Sequence, residues 1–285
     1  MAGLQIETCS NQADQQPLID FGARLLAHPE DPEQLASDTP GPQITKSLNK
    51  VLRAGHQLHF VSYQGQEYIF KVFADLGQHG LGRRLDFFIK SWLQNPAQRS
   101  YHGALRLQQL EIPAIQPIAC LNGRFGLHRR GLFIYKSVAA QQSLKTWLEG
   151  SPTPEVTEAS LEQLACITRA LEASSYHFAD LKMSNILVEE NSEGFRLVLI
   201  DTDDVILSHS KHWPWLPAKL QKAIKLWNLR RLKPNHELSL RFMAKHWPEE
   251  DTESAVNSWY TLRNIQANPL KWMKRKLRKR HAKKS

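Results

Sequence analysis

A chain of 285 residues, 41% hydrophobic and 23% charged, is long enough for one large domain or for two lobes with separate cores. No apolar run approaches the roughly 18 residues that a membrane span needs, and no secretory signal opens the chain, so a cytoplasmic protein is expected. The net charge of +9 points to nucleic acid only until it is located: nine of the 37 Lys and Arg residues, and none of the 28 Asp and Glu, lie between Lys271 and Ser285. The rest of the chain is formally neutral, which sets a nucleic-acid partner aside.

Residues 1–46, rich in Gln, Pro, Asp and Ala, read as an N-terminal extension with at most one helix, at the apolar run from Leu18 to Leu26. From there the pattern changes to short β-rich runs: VLR at 51–53, LHFVSY at 58–63 and YIFKVF at 68–73, the last two separated by the Gly-containing turn at 64–66. Period-two alternation around such turns predicts an antiparallel meander. Lys71 lies inside the last of these strands, where an isolated lysine ordinarily faces solvent. Leu85, Phe88, Ile89, Trp92 and Leu93 recur at helical spacing, and so do Tyr101, Ala104, Leu105 and Leu110 after the break at Asn95 and Pro96. A strand pair follows at 115–120 and 131–135.

The run AAQQ at 139–142 reads as a connection between lobes, its backbone suited to hydrogen-bond an adenine ring. Beyond it come SLKTWL at 143–148 and a helix over 156–174, whose apolar stripe is Leu161, Leu164, Ile167 and Leu171, with Pro154 and Glu155 in its first turn. After residue 201 the chain is helical and Trp-rich, with Trp213, Trp215, Trp227, Trp247 and Trp259 expected mainly in a core. In the tail at 269–285, Leu270, Met273 and Leu277 share one helical face beside Trp272, and most other positions are Lys or Arg. That is the pattern of a helix lying on an anionic bilayer, the alternative being a disordered or RNA-binding tail.

The chemistry concentrates at HFADLKMSN, residues 177–185. Asp180 and Asn185 keep the D-x-x-x-x-N spacing of a kinase catalytic loop, in which the Asp orients the attacking hydroxyl and the Asn holds Mg²⁺. The runs ILV at 186–188 and FRLVLI at 195–200, around a polar turn ending in Gly194, predict a β-hairpin that ends on Asp201, a second oxygen donor of the type hard Mg²⁺ prefers. Upstream of such a loop a strand lysine such as Lys71 is placed to hold nucleotide phosphates.

Five blocks then resemble the lipopolysaccharide kinases that phosphorylate heptose or Kdo in the bacterial inner core: YIFK at 68–71, the segment 95–117 with its LEIP at 110–113, the loop and hairpin at 177–188, LIDTD at 199–203, and LWNLRRL at 226–232 with LRF at 240–242. The likeness covers roughly residues 51–247. It implies an α+β, bilobal protein-kinase-like fold: an antiparallel β-sheet N-lobe over 47–138, a mainly helical C-lobe over 139–268, and the basic amphipathic tail. It further implies an ATP- and Mg²⁺-dependent kinase with Asp180 as catalytic base, Lys71 and Lys182 against the phosphates, and Asn185, Asp201 and, less strongly, Asp203 as metal ligands. The implied substrate is a lipopolysaccharide precursor, met at the inner face of the cytoplasmic membrane, with peripheral contact through the tail. One position departs from the family: Ser100 in RSY at 99–101 stands where a helix Glu that pairs with the strand lysine is expected, and Asp86 is a candidate substitute. That departure keeps open a pseudokinase or regulatory nucleotide-binding protein, beside a kinase for another small molecule or a protein.

Overall fold

The computed structural model describes residues 4–8, 13–29, 41–50, 56–74, 95–125, 128–174, 176–192, 194–207, 217–232 and 234–267. The run at 51–53, the helical pattern at 85–93 with Asp86, Trp213, Trp215 and the tail from 268 onward lie outside the described residues. The chain divides into two compact units, Met1–Ala139 with Val198–Val205, and Ala140–Leu197 with Ile206–Ser285.

The first unit comprises β1 (Gln5–Thr8), α1 (Gln16–Ala27), β2 (Gln43–Lys50), β3 (His56–Tyr63), β4 (Gln66–Phe73), α2 (Pro96–Gln109), β5 (Pro117–Phe125) and β6 (His128–Lys136). Its strands form one antiparallel sheet in the order β1-β5-β6-β4-β3-β2. The two alternating runs of the sequence become β3 and β4. Gln64 and Gly65 join them with φ of 50° and 73°, the paired positive values of a two-residue hairpin turn.

Alternation along β4 sends Phe70 and Val72 to one face of the sheet and Lys71 and Phe73 to the other. Leu18, Phe21, Leu25 and Leu26 of α1 bury themselves on the first face with Phe70, Leu132 and Ile134. Ala97, Tyr101 and Ala104 of α2 cover the second, with Phe73, Cys120 and Phe133. Within residues 1–46 the one helix expected forms as α1 and closes one core, and β1 is an edge strand paired to β5. The pairing joins Gln5 to Asn122, and a four-residue, largely exposed strand has too little alternation to announce such a partner.

His59 in β3 is fully buried. Its Nδ1 lies 2.9 Å from Ser47 Oγ, and its Nε2 has no hydrogen-bond partner among the described residues. Burial pushes its pKa down to about 4. The folded protein holds this ring neutral while the unfolded chain takes up a proton near the ordinary value of about 6.5, so stability falls as pH drops from there to about 4. The loss should be on the order of 3 kcal/mol for this group. Urea midpoints measured across that window should fall steeply in the wild type and less steeply in His59→Leu. Parallel slopes would mean that His59 is protonated in the folded state.

The second unit comprises β7 (Ala140–Ser143), α3 (Leu144–Glu149), α4 (Pro154–Ala173), β8 (Tyr176–Phe178), β9 (Ile186–Asn191), β10 (Gly194–Leu199, its last two residues in the first unit), α5 (Ala218–Asn228), α6 (His236–His246) and α7 (Thr252–Ala267). The expected hairpin forms as β9 and β10, and the run at 139–142 enters β7, the third strand of that sheet. Asn235 caps α6 through Leu238 N, and Thr153 and Pro154 start α4 in the same way. The stripe of Leu161, Leu164, Ile167 and Leu171 is buried, as are Phe242 and Met243 of α6 and Val256 and Trp259 of α7. Gln163 ties α4 to β10 with both ends of its amide, donating to Phe195 O and accepting from Leu197 N. Between α4 and α6, His246 is buried between Thr168 Oγ1 at 2.9 Å and Glu172 Oε1 at 2.8 Å. Burial raises the pKa of Glu172, but the His246 hydrogen bond and the charges of His246 and Lys225 outweigh it and hold the carboxyl below its usual range. No described helix is long and apolar enough to cross a membrane.

Candidate active site

In the second unit the chain leaves β8 in a tight turn, Leu181 N donating to Phe178 O, and enters a single 3-10 turn, Met183–Asn185. Leu181, Met183 and Ile186 are buried and fix this turn from below. The polar residues between them converge on Asp180, whose side chain is 14% exposed. Its Oδ2 accepts from Lys182 Nζ at 2.7 Å and from Asn185 Nδ2 at 3.1 Å; the same amide also donates to Asp180 O at 3.2 Å. Arg231 NH1, from the turn between α5 and α6, lies 2.8 Å from Oδ1, off the hydrogen-bonding axis. Asp180, Lys182 and Asn185, expected together, are thus in direct contact. Arg231 is not among the residues the sequence points to, although it stands in the LWNLRRL block.

His177 stands three residues before Asp180, one more than in the kinase pattern H-x-D. Burial first, and the charge of Arg230 second, push its pKa down to about 4. The folded protein therefore holds this ring neutral near pH 7.

In the first unit, residues 198–205 are held by a parallel bridge that is invisible to local pattern: Ile115 N donates to Leu199 O at 3.0 Å and Leu199 N to Pro113 O at 2.9 Å. This delivers Asp201 to the α2 face of the sheet, where Lys71 Nζ meets its Oδ1 at 2.5 Å and lies 5.2 Å from the centre of the Phe73 ring. Lys71 is 6% exposed, so the lysine is a buried partner and not the solvent-facing residue an isolated strand lysine would be. The partner that Ser100 cannot provide is supplied by Asp201. Ser100 is itself buried, its Oγ without a hydrogen-bond partner among the described residues, and its carbonyl accepts from Thr202 Oγ1 at 2.6 Å.

Asp201 adopts φ of 61°, a left-handed conformation uncommon for a side chain without local compensation. The 3-10 turn after it, Thr202–Asp204, is fastened to α2 by further contacts: Arg99 NH2 lies 3.2 Å from Asp203 Oδ2 and 3.7 Å from Asp204 Oδ1, and Arg106 donates to Val205 O at 2.7 Å. Burial raises the pKa of Asp203, with Asp201 and Asp204 adding to the rise against Lys71 and Arg99. Arg99 and Thr202 hold this turn against α2, and no local signal in the sequence marks either, because their partners lie about 100 residues away.

The donors present are carboxylate and amide oxygens, the hard type that suits Mg²⁺. Among the described residues no three His, Cys, Asp or Glu side chains gather into a metal site of their own.

The architecture is α+β, an antiparallel sheet in the N-terminal region followed by a helix-rich C-terminal region. No curated protein matches the chain. Among solved structures it is similar to a double mutant of the Mycobacterium tuberculosis PknI kinase domain, at 16% identity over 77% of this chain and 78% of that one. The TM-score of 0.39 makes this too loose a likeness to argue from. The family evidence is direct: the model of the lipopolysaccharide kinase (Kdo/WaaP) family matches residues 87–256, more than half of the chain and including Asp180, Asn185, Asp201 and Arg231. This chain therefore belongs to the lipopolysaccharide kinase (Kdo/WaaP) family.

Proposed function

We propose that the protein is an ATP- and Mg²⁺-dependent kinase of bilobal, protein-kinase-like design that phosphorylates a sugar hydroxyl, of heptose or Kdo, in the lipopolysaccharide inner core. The observation that carries this reading is the contact of Asp180 with Lys182 and Asn185 inside a buried-edged turn, in a chain of this family. In this reading Asp180 orients the acceptor hydroxyl and takes its proton, and Lys182 offsets charge on the phosphoryl group in transit. Asn185 and Asp201 hold Mg²⁺, which neutralises phosphate charge when bound, and Lys71 binds the nucleotide phosphates. Asp203 is the weaker metal ligand, since Arg99 already holds its Oδ2. Phosphoryl transfer through a loose transition state asks little beyond this positioning and charge. The sequence of the tail, basic with apolar residues at helical spacing, supports peripheral contact with the anionic inner surface of the cytoplasmic membrane.

The ion pair of Lys71 with Asp201 favours a second reading, a nucleotide-binding protein without turnover, because each group already satisfies the other where no helix Glu competes. Mass spectrometry of core oligosaccharide from cells with and without the protein separates the two. Loss of one phosphate from a defined heptose or Kdo is expected. Identical core spectra, together with no phosphate transfer from Mg-ATP to core lipopolysaccharide by the purified protein, would overturn the kinase reading.

A further inference from the structure

The turn that carries Arg231 is built, not incidental. Leu229 and Leu232 are buried on either side of it, Leu229 N donates to Leu226 O and Leu232 N to Leu229 O, and Trp259 Nε1 donates to Leu229 O at 3.1 Å. Between these anchors the Arg231 side chain stands 45% exposed, with NH1 at Asp180 Oδ1. The two oxygens of Asp180 are therefore unequal. Oδ2 already receives two donors, Lys182 Nζ and Asn185 Nδ2, which fill the in-plane positions a carboxylate oxygen offers. Oδ1 has Arg231 as its ion-pair partner and accepts no hydrogen bond among the described residues. A base that must receive the proton of an acceptor hydroxyl needs an oxygen that can face it, and only Oδ1 can be vacated without dismantling the loop. The contact makes no hydrogen bond and its guanidinium side is 45% exposed, so Arg231 can leave Oδ1 for water.

We propose that Arg231 is a latch on the catalytic base, capping Asp180 Oδ1 until the acceptor hydroxyl displaces it. The inference rests on the kinase reading and on Asp180 as base. With the latch open, the acceptor O–H passes its proton to Oδ1 while the acceptor oxygen bonds to the γ-phosphorus and the β–γ bridging P–O bond breaks, its electron pair leaving on ADP. Water in the acceptor's place would give inorganic phosphate and ADP by the same step. Capped, Asp180 cannot activate water, so nucleotide is not spent between acceptors. Once displaced, the guanidinium remains at the mouth of the site as a donor to acceptor oxygens, a positioning residue for the substrate.

The test compares wild type, Arg231→Ala, Arg231→Lys and the double variant Asp180→Asn/Arg231→Ala, as full-length proteins, for Mg-ATP hydrolysis without acceptor and for transfer to core lipopolysaccharide. Arg231→Ala should hydrolyse ATP several-fold faster than wild type and transfer with a higher KM for the acceptor at an unchanged KM for ATP. Arg231→Lys should restore both towards wild type, and the double variant should lose the gain in hydrolysis. Unchanged or lower hydrolysis in Arg231→Ala, with wild-type transfer intact and melting temperature unaltered, overturns the latch and leaves the kinase reading standing. Faster hydrolysis in Arg231→Ala without transfer by the wild type supports the latch and overturns the acceptor. No turnover in any of the proteins overturns both.

Discussion

Replacing Asp180 by Asn should reduce phosphoryl transfer by about 10²–10⁴-fold, the usual contribution of a positioned general base, while nucleotide affinity and folding stay close to wild type. The substitution keeps shape and removes one proton acceptor and one negative charge. Asp180 is 14% exposed, whereas its cationic neighbours Lys182 and Arg231 are 36% and 45% exposed, so the cations left behind can turn to water. Pairs of that exposure contribute only about 0–1 kcal/mol, and little stability is at stake. The amide can still offer its oxygen to Lys182 Nζ and Asn185 Nδ2, which preserves the loop. The expected pattern is therefore a fall in kcat with KM for ATP held, read by single-turnover transfer beside a nucleotide titration. A variant that transfers at the wild-type rate would remove Asp180 from the reaction, and one that no longer binds nucleotide would make its role structural.

The loop that frames this prediction was legible because its residues are close in sequence: Asp180, Lys182 and Asn185 span one turn, and the hairpin after them is two β-rich runs around a polar turn ending in Gly194. Strands β3 and β4 and helices α2 and α4 were legible for the same reason, since period and capping residues are local signals. What escaped were relations between distant segments. Lys71 and Asp201 stand 130 residues apart, and nothing near Ser100 reveals that the lysine has found a different partner. The bridge from residues 113–115 to Leu199 moves Val198–Val205 into the first unit, so the second unit is interrupted at the segment that carries Asp201. Helix α1 announced its apolar face but not the sheet it would cover. A stripe specifies burial without specifying against what.

The same distant relations predict a large effect at a position no motif marks. Gly103 lies in the middle of α2, where Ala would ordinarily stabilise a helix by roughly 1 kcal/mol. Here a Cβ would stand 1.9 Å from Thr202 O and 2.9 Å from Thr202 C. These are backbone atoms with no rotamer to yield, and Thr202 is further pinned by its own hydroxyl to Ser100 O. Gly103→Ala must therefore push α2 away or displace the turn that follows Asp201. Its cost should be about 1–3 kcal/mol, the usual penalty of overpacking, and opposite in sign to helix propensity. The displacement reaches Asp201 directly, because its left-handed backbone is held from the next residue on by Thr202, by Arg99 against Asp203 and by Arg106 against Val205 O. A shift on the order of 1 Å at a reacting group can cost about 10²-fold in rate, so the loss of transfer should exceed what the fall in stability accounts for. Urea denaturation gives the first quantity, and single-turnover transfer under conditions where the variant is fully folded gives the second. In a chain without the helix Glu, this clamp from α2 to the turn after Asp201 is the route by which the helix governs the position of Asp201. A stabilised, fully active Gly103→Ala would show that α2 does not govern it.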